Sequence, residues 1–158
     1  LNTNLLYQWT YLKMMKYKFF DHTADAKFRA YGKTLEEQFT NAAEAMTAIM
    51  FNIKELKDEK KHTIYVKAKD QKQLLYLFLE EILFLMDTKK FICKSADNIK
   101  IKKIKSGFEL KATVNGCSWK ESFEQKSEVK AATYAEMEIT KEYVQVVVDI
   151  WAVKWSQE

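Results

Sequence analysis

With 158 residues, 47% hydrophobic and 30% charged, the chain has the composition of one globular domain with a sizeable core, and it is too short for two ordinary domains. The absence of proline and the presence of only 3 glycines argue against linkers and against a glycine-rich phosphate cradle, which speaks against a kinase or nucleotidase. A net charge of +4, from 26 Lys and Arg spread over the whole length, points only weakly to nucleic acid, because binders concentrate their charge on one face or stripe.

Residues 1–14 lack a basic start and a continuous apolar core, so they do not read as a secretory signal and are assigned as an extension without a role. From Lys16 to Tyr31, Tyr17, Phe19, Phe28, Ala30 and Tyr31 fall near strand spacing, which predicts two short strands around the corner Asp21-His22-Thr23-Ala24-Asp25. Thr34 and Glu37 form a capping box, and Leu35, Phe39, Ala42, Ala43, Met46, Ile49 and Met50 then continue a helical stripe to about Phe51. Lysines and acids from Lys54 to Lys61 are expected to form a solvated loop, followed by a strand with Ile64, Val66 and Ala68 on its inner face.

Asp70 and Gln73 cap a second predicted helix, in which Leu74, Leu75, Leu77, Phe78, Ile82, Leu83 and Leu85 cover most of the circumference and predict a buried central position. Its apolar run is broken by Glu80 and Glu81 and is shorter than the roughly 20 residues a bilayer requires, so no membrane span is expected. The remainder reads as strands: Ile99 to Ile101, Phe108 to Val114, Cys117 to Phe123, about Val129 to Ile139, and Tyr143 to Ile150. Ser106-Gly107 and Asn115-Gly116 are read as the turns between them, Asn-Gly being a strong hairpin signal. This order of elements indicates an α+β single domain, two helices on a mixed or antiparallel sheet, over residues 15–150, with 151–158 as a C-terminal extension. Lys100-Ile101-Lys102-Lys103-Ile104-Lys105 is the best local candidate for a basic nucleic-acid surface, and it suits a half-exposed strand equally well. Cys93 and Cys117 have neither CxxC spacing nor a paired His, which fits a reducing cytoplasm and excludes a zinc site of the usual kind.

The residues able to carry chemistry are few. Asp21, His22 and Asp25 cluster in the first corner, and Asp149 interrupts an apolar run near the other end, where burial is expected. A buried ionised carboxylate needs a partner. Asp25, Asp149 and a backbone carbonyl would suit a hard cation such as calcium or magnesium, while turn capping by Asp21 and Asp25 and a lysine partner for Asp149 explain the same residues without a metal. Glu128 and Lys130 share a strand face, which an exposed ion pair would explain. A hydrolase built on Asp21, His22 and Asp25 lacks an evident nucleophile and phosphate anchor.

Tyr17-Lys18-Phe19-Phe20-Asp21-His22-Thr23-Ala24-Asp25 followed by Ala30-Tyr31-Gly32-Lys33-Thr34-Leu35-Glu36-Glu37 resembles the archease family. Leu79 to Leu85, Glu128 to Tyr134 and Val147-Val148-Asp149-Ile150 resemble the same family in the same order. The resemblance implies a non-catalytic activator of the RtcB-type RNA ligase that joins 2′,3′-cyclic phosphate and 5′-hydroxyl ends in tRNA splicing. Such an activator promotes guanylylation of a ligase histidine and multiple turnover, widens nucleotide choice, and meets tRNA only through the ligase. It also implies a divalent cation, calcium, held by Asp25, Asp149 and Ile150, with Asp21, His22, Glu128 and Lys130 on the supporting surface. A chaperone-like or RNA-associated modulator with a purely structural metal is the alternative.

This chain departs from the family in three places. Ala26 and Lys27 follow Asp25, adding a cation near the site, and Ala135 stands where a His or Ser is frequent. The chain also continues past Ile150 through Trp151 to Glu158, which leaves Ile150 only its backbone carbonyl as a ligand.

Overall fold

The computed structural model describes residues 4–5, 15–21 and 25–152, and the expectations for His22, for most of residues 1–14 and for 153–158 lie outside them. Strands β1 (Tyr17–Phe20) and β2 (Asp25–Tyr31) run antiparallel on either side of the first corner, as expected. Helix α1 (Leu35–Met50) begins where Thr34 Oγ1 accepts from the Glu37 N–H at 3.1 Å. The capping box closes one residue early, because the Glu37 carboxylate accepts from the Lys33 N–H at 3.0 Å.

A 3-10 turn at Ile53–Glu55 and the buried Leu56 interrupt the expected solvated loop, and β3 (Lys60–Ala68) starts well before Ile64. Helix α2 (Gln71–Lys89) is capped by Asp70, whose carboxylate accepts from the Gln73 N–H at 2.8 Å. Its placement corrects the expectation of a fully buried centre: Leu74, Leu75, Phe78, Leu79, Ile82 and Leu83 are buried, Leu77 and Leu85 are half-buried, and Phe84 is 58% exposed. The helix lies against the sheets with one side and is open on the other.

Two further corrections concern β4 (Phe91–Ile104) and β5 (Gly107–Ser118). Gly107, at φ 142°, makes the expected turn between them, but Asn115-Gly116 lies inside β5 and makes no hairpin. At Gly116 a Cβ would stand 1.8 Å from the Ile92 carbonyl oxygen, so the glycine serves a close approach of the two backbones beside the β4 bulge at Cys93/Ser95. The expected strand from Cys117 to Phe123 ends at Ser118. The expected strand from Val129 to Ile139 divides into β6 (Ser127–Ala132) and the two-residue β7 (Glu138–Ile139), and β8 (Tyr143–Ala152) follows.

All strand pairs are antiparallel. One sheet has the order β1-β2-β8-β6, with β7 also on β8, and the other the order β3-β5-β4. Each helix touches strands of both sheets, and a single core joins them, with Phe39 of α1 stacked on Phe78 of α2 at 5.9 Å between centroids. Buried polar side chains tie the layers together. Thr47 donates to the Cys93 carbonyl, and Ser127 donates to the Ile49 carbonyl, each at 2.7 Å. The Gln38 amide donates to the carbonyls of Gly32, Thr140 and Lys141, holding the β2–α1 turn against the β7–β8 hairpin. No described helix is long and apolar enough to cross a membrane. Cys93 and Cys117 are both buried and free.

Candidate functional site

Asp25 and Asp149, 124 positions apart in the chain, stand directly opposite each other in the β2–β8 ladder. The Gly32 N–H donates to the Glu142 carbonyl at 3.1 Å, one step beyond the Tyr31/Tyr143 pair. Antiparallel ladders alternate, so Ala30/Val144, Phe28/Val146 and Ala26/Val148 are the hydrogen-bonded positions, and Asp25/Asp149 is a non-hydrogen-bonded one. At such a position the Cα atoms approach to about 4.5 Å and the side chains are at their closest. Both carboxylates leave the same face, because residues directly opposite share it.

The Val147 carbonyl accepts from the Thr133 N–H at 3.1 Å, and so faces β6. The same alternation turns the Ile150 carbonyl toward β2, where Asp25 begins the strand. Two of the predicted ligands, Asp25 and Asp149, therefore face each other at one end of the sheet, and Ile150 follows Asp149 along β8. Two carboxylates and a carbonyl form an all-oxygen donor set, which fits a hard cation whose other positions water would fill. Among the described residues no three His, Cys, Asp or Glu converge into a metal cluster.

The burial expected of Asp149 is corrected. It is exposed and Asp25 is half-buried, while Val144, Val146 and Val148 face the core. The apolar run extends across both faces only as far as Val147, and the outward register position after it is open. Asp25 and Asp149 are thus like charges directly opposite each other across the ladder, an arrangement that is unfavourable between strands, and Asp149 is not desolvated.

Asp21 is exposed at the end of β1. With Asp25 it lines an open pocket of about 370 Å³, completed by Phe19, Lys27, Ile49 and Lys126 among others. Lys27, the cation that departs from the family pattern, lines this pocket, where its ammonium group pairs with Glu136 at 3.6 Å and lies 5.7 Å from the Phe20 ring centroid. Glu128 and Lys130 are both exposed, but Lys130 sits at a β-bulge between Val129 and Ala131 and its ammonium group lies over the Trp151 ring, 2.9 Å from the centroid. Trp151, read from the sequence as the start of an extension, is a strand residue opposite Glu128 and two positions from Asp149.

Sequence reasoning gave no role to Glu80. Its carboxylate accepts from the Ala132 N–H at 2.8 Å, next to Ala131, the β6 partner of Asp149. An acid in the middle of the most apolar run was the available signal, since such a group must find a donor.

The chain matches the model of the Archease protein family (MTH1598/TM1083) over residues 17–150. It is 41% identical to the protein archease of Methanothermobacter thermautotrophicus over 129 residues, covering 82% of this chain and 91% of that protein. It is 38% identical to that of Thermococcus kodakarensis, with 81% and 90% covered. The solution structure of Methanobacterium thermoautotrophicum protein 1598 superposes with a TM-score of 0.73 at 34% identity, covering 85% of this chain and 98% of that one. With its α+β fold of two helices on antiparallel sheets, the chain belongs to the archease family.

Proposed function

We propose that this archease is a non-catalytic activator of an RtcB-type, tRNA-splicing RNA ligase in the cytoplasm, promoting ligase guanylylation and repeated joining of 2′,3′-cyclic phosphate and 5′-hydroxyl RNA ends. The observation that carries the reading is the placement of Asp25 against Asp149 at a close, non-hydrogen-bonded ladder position on an exposed face. Family membership supplies the class of partner.

In this reading Asp25, Asp149 and the Ile150 carbonyl hold a divalent cation, with calcium as the first candidate. When bound, the cation supplies a positive centre that orients phosphate oxygens, as at other metal sites. The protein's own residues shape that site. The ladder fixes the two carboxylates side by side, Glu136 holds the Lys27 ammonium group, and Glu80 secures the β6 backbone beside Asp149. Asp21, Glu128 and Lys130, all exposed, supply the supporting surface in this reading.

A ligation time course with limiting ligase tests this reading. Wild-type protein is expected to convert a single joining event into repeated turnover, while Asp25→Ala and Asp149→Ala abolish the gain without loss of fold. No gain with wild-type protein rejects activation. An undiminished gain in both variants rejects the acidic pair as its source and leaves a surface modulator whose metal is structural.

A further inference from the structure

We propose that the solvent-facing side of the β3-β5-β4 sheet binds RNA, its lysines taking the phosphate backbone and Tyr65 stacking on a base. This surface lies on the sheet that does not contain Asp25 and Asp149, and the proposal stands independently of the ligase reading.

The ladder fixes the pattern. Tyr65 of β3 stands opposite Lys111 of β5, and Lys111 stands opposite Lys100 of β4, so one row across the sheet reads aromatic, cation, cation. In the next row Lys67 and Lys102 flank Glu109. Ile64, Val66 and Leu110 are buried on the opposite face and Ile101 packs there too, which commits the lysine side to solvent. Lys67, Lys100, Lys102 and Lys111 are all exposed.

Two like charges directly opposite each other weaken a sheet, and the Lys100/Lys111 pair makes no ion pair with any described carboxylate. The two acids on this face are held by uncharged donors: Glu109 accepts from the Tyr65 hydroxyl at 2.7 Å, and Asp97 accepts from the Asn115 amide. The bond to Glu109 also orients the Tyr65 ring, which is 55% exposed, with the Lys67 ammonium group 5.8 Å from its centroid. Side chains of this sheet repeat at about 6.8 Å along a strand and about 4.8 Å between strands. Regularly spaced ammonium groups around one oriented, open aromatic ring match a polyanion that carries bases, because charge tracks the backbone while a ring accepts any base by stacking. An acidic protein segment would use the lysines and leave the ring without a function.

Fluorescence anisotropy of the isolated protein with a labelled oligouridine of about 20 nucleotides tests the proposal. Binding is expected to weaken linearly in log salt, with a slope of about 0.7 for each phosphate neutralised. Combined Lys100→Gln, Lys102→Gln and Lys111→Gln should lower affinity at least about tenfold and flatten that slope. Tyr65→Ala should lower affinity about 5- to 100-fold with the slope unchanged. Lys54→Gln with Lys57→Gln, exposed but off this face, should leave affinity within about twofold.

The triple glutamine variant should melt no lower than wild type, since it removes a repulsion. If it does melt lower, the triple arginine variant keeps the test open, with retained binding expected and lost binding against the proposal. The proposal is overturned by an absence of saturable binding at low salt, by an equal loss in the Lys54/Lys57 control, or by polyglutamate displacing the RNA as well as unlabelled oligouridine does.

Discussion

Glu80 of α2 accepts a hydrogen bond from the backbone N–H of Ala132 at 2.8 Å, joining the middle of an apolar helix to the strand that flanks Asp149. Ala132 lies just past the β6 bulge at Val129/Ala131, where ladder pairing is broken and the strand needs another hold. Glu80→Ala is expected to destabilise the fold by about 1–3 kcal/mol, because an N–H bonded to a charged acceptor loses it, whereas Glu80→Gln retains an acceptor oxygen and most of the stability. Urea denaturation of the two variants checks this. Equal losses would show that the negative charge, rather than the packing or the acceptor oxygen that glutamine retains, carries the contribution.

The facing carboxylates make opposite predictions with and without a cation. In chelator, Asp149→Asn removes a like-charge opposition and should leave stability unchanged or higher by a few tenths of a kcal/mol. In millimolar calcium the wild type should gain stability by mass action while the variant gains little. Thermal melts under the two conditions read both effects. Equal calcium shifts in wild type and Asp149→Asn would place the cation elsewhere.

How far the sequence could be read depended on whether a residue's role was local. Thr34 and Asp70 cap their helices as expected because a cap needs only a side-chain oxygen and an amide three residues on. Asp25 and Asp149 could be singled out as carboxylates, but their exposure could not, since the burial of Val147 on the outward face extends the apolar run past its true periodicity. The beginning of β3 was hidden because Lys60 and Lys61 are both exposed and show no alternation. The pairing of Tyr65, Lys111 and Lys100 depends on register between strands distant in sequence, and spacing within any one strand does not contain it.

Asn115-Gly116 shows how a local signal is overridden, and it yields a sharp prediction. The dipeptide favours a tight hairpin, yet it runs straight through β5 because β4 presses its backbone against Gly116 at Ile92. A Cβ at Gly116 would lie 1.8 Å from a carbonyl oxygen and 2.9 Å from its carbon, both backbone atoms that cannot rotate away. Gly116→Ala should therefore cost about 3 kcal/mol or more, beyond the usual range for added volume in a core. Chemical denaturation measures it, and a loss below about 1 kcal/mol would mean that the two strands can separate without consequence.

Cys93 supplies a pH dependence whose sign follows from its position. Burial, with smaller contributions from Asp97 and Asp58, pushes the thiol up to about 12, because a thiolate there would be both desolvated and repelled. In the unfolded chain a thiol ionises near its ordinary value of about 8.5. The folded state therefore favours the protonated form. The associated stability is fully present below about pH 8.5 and is lost as pH rises toward 12, with a limiting slope of roughly 1.4 kcal/mol per pH unit from this group. Cys93→Ser, whose hydroxyl does not titrate in this range, should flatten the decline in stability measured by urea denaturation between pH 8 and 10, even if the variant is less stable at neutral pH. An unchanged slope in Cys93→Ser would assign the alkaline loss to other groups. The same physics predicts that iodoacetamide at pH 8 labels Cys93 only through unfolding, so its labelling rate should rise in step with the unfolded fraction as urea is added. Rapid labelling in the absence of urea would contradict the buried, protonated thiol.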